Sequence, residues 1–83
     1  MKYRVTVFFG RYRFQAFCEN VAVAFRHAEA IICSPMFISE YGPNVGNTCA
    51  GIFLQLAEME RGERGAIWND VFCIERIGRR PGK

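Results

Sequence analysis

Residues 3–18, YRVTVFFGRYRFQAFC, restrict the fold more than any other stretch of the chain. Tyr3, Val5, Val7 and Phe9 alternate with Arg4, Thr6 and Phe8, the period of two of a half-buried strand. Gly10-Arg11 follows, and glycine at the first central position suits a two-residue type II′ turn, where φ is positive. The alternation then resumes as Tyr12, Phe14, Ala16 and Cys18 against Arg13, Gln15 and Phe17. A two-residue loop sets Phe9 opposite Tyr12, Val7 opposite Phe14, Val5 opposite Ala16 and Tyr3 opposite Cys18. These eight residues then share one face, and a slip of one residue would scramble it.

The other face of this hairpin sets Arg4 opposite Phe17, Thr6 opposite Gln15 and Phe8 opposite Arg13. Arginines interleaved with phenylalanines can hold phosphates and stack on planar groups. The same pairs also serve simply as cross-strand packing on a solvated face.

Beyond the hairpin, Asn20 suits a helix N-cap, and Val21, Ala24, Phe25, Ala28, Ile31 and Ile32 recur at helical spacing. Ser34-Pro35 ends that pattern, so a helix is predicted over 20–33, lying across the apolar face of the hairpin. Met36 to Tyr41 is read as a short strand and residues 42–48, GPNVGNT, as a loop. Thr48 is placed as the cap of a second helix, with Cys49, Ile52, Phe53 and Leu56 on its apolar side and Gly62 just past its end. A strand over 51–60 is the alternative, because Gly51 weakens either element. Ala66 to Ile77 reads as a last strand paired with the first, with Phe72, Ile74 and Arg76 on one side and Val71, Cys73 and Ile77 on the other. The expected architecture is therefore α+β. It has a mostly antiparallel sheet of three to four strands with two helices on one face, in the order β-β-α-(β)-α-β. Residues 1–77 form the expected single domain and 78–83, GRRPGK, a flexible basic tail.

Half of the 83 residues are apolar and eight are phenylalanine, which argues against intrinsic disorder. No run of about 18 apolar residues marks a membrane helix, and no apolar stretch of a signal peptide stands near Met1, so a cytoplasmic location is expected. The cysteines, Cys18, Cys33, Cys49 and Cys73, form no C-x-x-C pair and match no zinc spacing, so free and mostly buried thiols are expected. Cys49, just after Thr48, is the one cysteine with a helix-N-terminal setting that would favour a reactive thiolate. His27 and Asp70 are each the single residue of their type, and neither has a local partner for acid–base work. Gly46-Asn47-Thr48 lacks the lysine of a phosphate loop. No cofactor, metal site or catalytic residue is expected.

Charge is segregated. Residues 1–18 hold Lys2, Arg4, Arg11 and Arg13, and residues 76–83 hold Arg76, Arg79, Arg80 and Lys83, with no acid in either segment. Against these eight positive charges the middle carries three basic and eight acidic residues, leaving the chain at +3. Such asymmetry bears on partners and encounter rates rather than on fold. Two surfaces follow. One comprises Arg4, Phe8, Arg13, Phe17, Arg76, Arg79 and Arg80, with the arginines of the first and last strands forming one basic surface. The other is an acidic contact of Glu58, Glu60 and Glu63 for a basic partner.

The expected role is a non-enzymatic module that acts by occupying a protein or nucleoprotein partner. In its size, segregated charge and lack of an active-site constellation the chain is similar to small phage or mobile-element inhibitors of host nucleic-acid machinery, anti-CRISPR proteins among them. That similarity is one of type and rests on no motif. The alternative is direct nucleic-acid binding through the Arg/Phe face and the basic tail, as in RNA-recognition sheets with exposed aromatics. A homodimer that hides Phe8 and Phe17 is a further expected arrangement.

Overall fold

The computed structural model describes residues 2–77, so Arg79, Arg80 and the rest of the expected tail lie outside the described residues. Among the described residues, four strands, three α-helices and a 3-10 turn follow one another. They are β1 (Tyr3–Phe9), β2 (Tyr12–Cys18), α1 (Val21–Ile32), α2 (Pro35–Tyr41), the 3-10 turn Val45–Cys49, α3 (Phe53–Glu60), β3 (Ala66–Trp68) and β4 (Phe72–Arg76). The strands form one antiparallel sheet in the order β2-β1-β4-β3, an α+β arrangement.

The hairpin has the register its sequence predicts, from Phe9 opposite Tyr12 to Tyr3 opposite Cys18. Gly10 sits at φ +60° and among the described residues only glycines have positive φ, so Arg11 has negative φ and the turn is of the II′ rather than the I′ kind. β4 pairs with β1, setting Ile74 opposite Val5 and Phe72 opposite Val7. Asn20 caps α1 by accepting a 2.9 Å hydrogen bond from the Val23 N–H. The stripe Val21, Ala24, Phe25, Ala28 and Ile32 is buried with Tyr3, Val5, Val7, Phe72 and Ile74 in one core. Burial of this apolar area is the main stabilising term.

Three local predictions are corrected. Met36 to Tyr41 is helical, not extended. Pro35 occupies the first turn, where its fixed φ is already helical, and Gly42 ends the helix at φ +99°. The i, i+4 spacing then puts Phe37 and Tyr41 side by side, both against Phe9 at centroid distances of 5.0 and 5.7 Å.

Residues 66–77 are two strands rather than one. Asn69 makes the turn: its Oδ1 accepts from the N–H groups of Val71 (2.9 Å) and Phe72 (3.0 Å), and its own N–H donates to the Phe72 carbonyl.

Lastly, Thr48 does not cap α3. Its Oγ1 donates to the Val45 carbonyl at 2.8 Å inside the 3-10 turn, and the helix begins five residues later with no side-chain cap. Among the described residues there are therefore three α-helices instead of two, and over 53–60 the expected helix holds rather than the alternative strand. Met59, rather than Phe53, supplies the buried anchor of α3, while Phe53 and Leu54 are exposed.

Among the described residues no single helix is long and apolar enough to cross a membrane. α1 and α2 satisfy that criterion only together, across a 62° bend, and both bury side chains in the core.

Candidate functional site

Strand alternation sends one set of side chains into the core and the other onto a face that no helix covers. Register places these outward residues in rows across the sheet. One row runs Gln15, Thr6, Cys73, Trp68; the next runs Phe17, Arg4, Glu75, Ala66; Arg13 and Phe8 stand side by side beyond the first. Phe17 and Trp68 occupy the two edge strands, three strand spacings or about 14 Å apart. They are 51% and 72% exposed.

The rest of the face packs on itself. The Arg13 guanidinium lies 5.1 Å from the centroid of the Phe8 ring, a cation–π contact. Arg4 Nε and Nη2 both reach Glu75 Oε1 at 2.8 Å, with each side chain a little over one third exposed. Gln15 donates to the Thr6 hydroxyl at 3.4 Å, and Thr6 is buried beneath its neighbours. The result is an open platform, aromatic at both margins and carrying both signs of charge at its centre.

The expected single basic surface does not form, although β1 and β4 are neighbours. Arg76 stands opposite Tyr3, so it points to the helix side with Phe72 and Ile74, away from Arg4 and Arg13. There its guanidinium sits 5.1 Å from the Tyr3 ring centroid and donates to the Met59 carbonyl at 2.6 Å. Arg4, for its part, is paired with Glu75. Of the predicted contact residues, the structure brings Arg4, Phe8, Arg13 and Phe17 onto one face, sends Arg76 to the other, and does not describe Arg79 or Arg80.

The acidic alternative is also partly compensated. Glu58 pairs with Arg64 at 2.9 Å and Glu63 with Arg61 at 3.0 Å, while Glu60 is exposed at the end of α3.

The four thiols are free. Cys49 closes the 3-10 turn instead of opening a helix, so the setting predicted to activate it is missing. Burial pushes its pKa up, and Cys33 and Glu29 nearby add to the rise against an opposing hydrogen bond with Thr48. The Cys73 thiol, between Thr6 and Trp68, is likewise raised by burial and by Glu75, with Arg4 opposing. Among the described residues no group of three His, Cys, Asp or Glu side chains is placed to hold a metal ion.

Trp68 is the residue of the platform that sequence reasoning missed. The usable signal was Asn69-Asp70: read as a turn, it pairs Trp68 with Cys73 and puts the indole in the row of Thr6. An apolar groove of about 360 Å³ runs between α1 and α3 along Phe25, Phe53 and Leu56. No known family model, curated protein or solved structure matches this chain.

Proposed function

We propose that the chain is a non-enzymatic interaction module that engages a protein partner through the open face of its sheet and acts by occupancy. The observation that carries this reading is the pair of exposed aromatic side chains, Phe17 and Trp68, on the two edge strands of a four-stranded platform that also carries the Phe8–Arg13 stack. Tryptophan, phenylalanine and arginine are enriched where protein interfaces are buried, and a few such residues carry most of the binding energy. Because strand pairing already holds the platform in place, docking on it orders little backbone, which favours affinity. The Arg4–Glu75 pair offers both a cation and an anion, which suits a mixed protein surface better than a uniform run of phosphates.

Direct nucleic-acid binding has less support, since Arg4 is neutralised and Arg76 faces the helices. Free thiols, with Cys33 exposed, fit a reducing, cytoplasmic setting. The resemblance to small phage inhibitors is one of size and charge distribution.

The test is affinity capture from native lysate, with and without nuclease, using the parent chain, Phe17→Ala, Trp68→Ala and Leu54→Ala. Leu54 is 67% exposed on α3 and serves as the control. A nuclease-resistant partner should be held by the parent and Leu54→Ala, and weakened about 30-fold or more by either platform variant. A partner that disappears with nuclease, or that both platform variants retain, contradicts the proposal.

A further inference from the structure

The two edges of the sheet differ. β3 is three residues long, whereas β2 is seven residues long and contains no proline, glycine or lysine. A long edge without such guards is a template for another strand. The Phe8 N–H donates to the Val71 carbonyl at 2.8 Å, so the even-numbered residues of β1 bond to β4 and the odd-numbered ones to β2. Since β1 odd residues pair with Tyr12, Phe14, Ala16 and Cys18, the N–H and C=O groups of Arg13, Gln15 and Phe17 point outward from the edge.

We propose that β2 pairs antiparallel with β2 of a second copy about Gln15, making one continuous sheet across a two-fold axis. The strand is self-complementary about that residue. Arg11 meets Glu19 of the second copy, giving two opposite-charge pairs by symmetry. Arg13 meets Phe17, repeating the Arg–Phe pairing that Arg4–Phe17 and Phe8–Arg13 already use within the hairpin. On the helix side Phe14 stands beside Ala16, a large residue against a small one. A groove of about 310 Å³ lined by Phe14, Ala30, Ile31 and Met36 runs along this edge, with Phe14 and Met36 37% and 43% exposed. Val23, two helical turns before Ala30 with His27 between them, is a further apolar side chain on that side of α1, at 51% exposure. Pairing two copies covers this strip on both. The inference does not depend on what the open face binds.

Sedimentation velocity from low to high micromolar concentration tests it. The parent chain should run at twice its 9.5 kDa mass, with the dimer loosening as salt rises. Gln15→Pro removes an outward N–H and should give a monomer with an unchanged circular dichroism spectrum. Arg11→Glu should raise the dissociation constant about tenfold or more, and Arg11→Glu combined with Glu19→Arg should restore it. This exchange involves exposed residues, so it reports even where the proline variant does not fold. A parent chain that stays monomeric throughout, or an Arg11→Glu defect that the exchange leaves uncorrected, overturns the proposal.

Discussion

Arg76 stacks on Tyr3 across the β1–β4 pair, its guanidinium 5.1 Å from the ring centroid, on the side of the sheet that the helices cover. The same guanidinium donates to the last turn of α3 through the Met59 carbonyl. Arg76 is thus a tie between sheet and helix, not part of a basic surface. Arg76→Ala should lower stability by about 1–2 kcal/mol, from one charged hydrogen bond and one cation–π contact. Binding of a partner to the open face should be unaffected. Thermal melts of the variant beside capture assays check both.

Arg4 and Arg13 respond differently to charge reversal, although they share the open face. Arg4→Glu sets a second carboxylate against Glu75 and should destabilise by about 0.5–1 kcal/mol. Arg13→Glu loses the stack on Phe8 and leaves no acid opposite it in the register, so its melt should stay within about 0.5 kcal/mol of the parent. Denaturant titrations of the two variants separate them.

The hairpin turn is fastened to α2, because the Gly10 N–H donates to the Tyr41 hydroxyl at 2.9 Å. Tyr41→Phe should lose about 0.5 kcal/mol, the low end for an exposed hydrogen bond. Gly10→Val should lose about 1–3 kcal/mol, since φ is +60° there and a β-branched residue is strained. Equal losses in the two variants would mean that the hydroxyl, not the backbone, governs the turn.

Phe25→Ala should be the most damaging change in α1, at about 3–5 kcal/mol. The ring is buried, 6.5 Å from Phe72 and 6.3 Å from Phe53 between centroids, and it joins α1 to both β4 and α3. A parent-like melting temperature would contradict that placement.

The thiols give a pH test. Cys33 is exposed and should label first with an alkylating reagent near neutral pH. Cys49 and Cys73 have raised pKa values, so their thiolates are scarcer and their labelling should lag until the solution is more alkaline. Stability follows with the opposite sign. As pH climbs past the ordinary thiol value of about 8.5, the unfolded chain loses these protons before the folded one does, so stability falls. Fast labelling of Cys49 at neutral pH would reinstate it as a nucleophile.

Much of the fold was legible because its signals were local. The period of two in residues 3–18 and the glycine at position 10 specify every pair of the first hairpin, and the stripe from Val21 to Ile32 specifies which side of α1 is buried. What escaped depended on context. Met36 to Tyr41 is only six residues long, four of them apolar, too short for periodicity to separate helix from strand, and Pro35 with Gly42 decides it. The Asn69 turn hides inside an otherwise strand-like run, and with it went the placement of Trp68. The platform residues of the hairpin followed from alternation. Alternation also grouped Arg76 with Phe72 and Ile74, and net charge by segment obscured this by treating nearby arginines as one surface. The Arg4–Glu75 pair joins the basic N-terminal strand to the acidic middle, and Glu58 and Glu63 are paired with Arg64 and Arg61 within that middle, none of which composition reveals.

The most direct test of the open-face account uses Trp68, the single tryptophan of the chain and the most exposed large side chain of the platform. Fluorotryptophan incorporated at that one position gives one fluorine NMR resonance, free of any signal from an unlabelled partner. On addition of the captured partner the resonance should shift and lose its sensitivity to solvent isotope, as the indole leaves water. An unchanged resonance in a fully formed complex would contradict the account, because the partner would then be bound somewhere other than the open face.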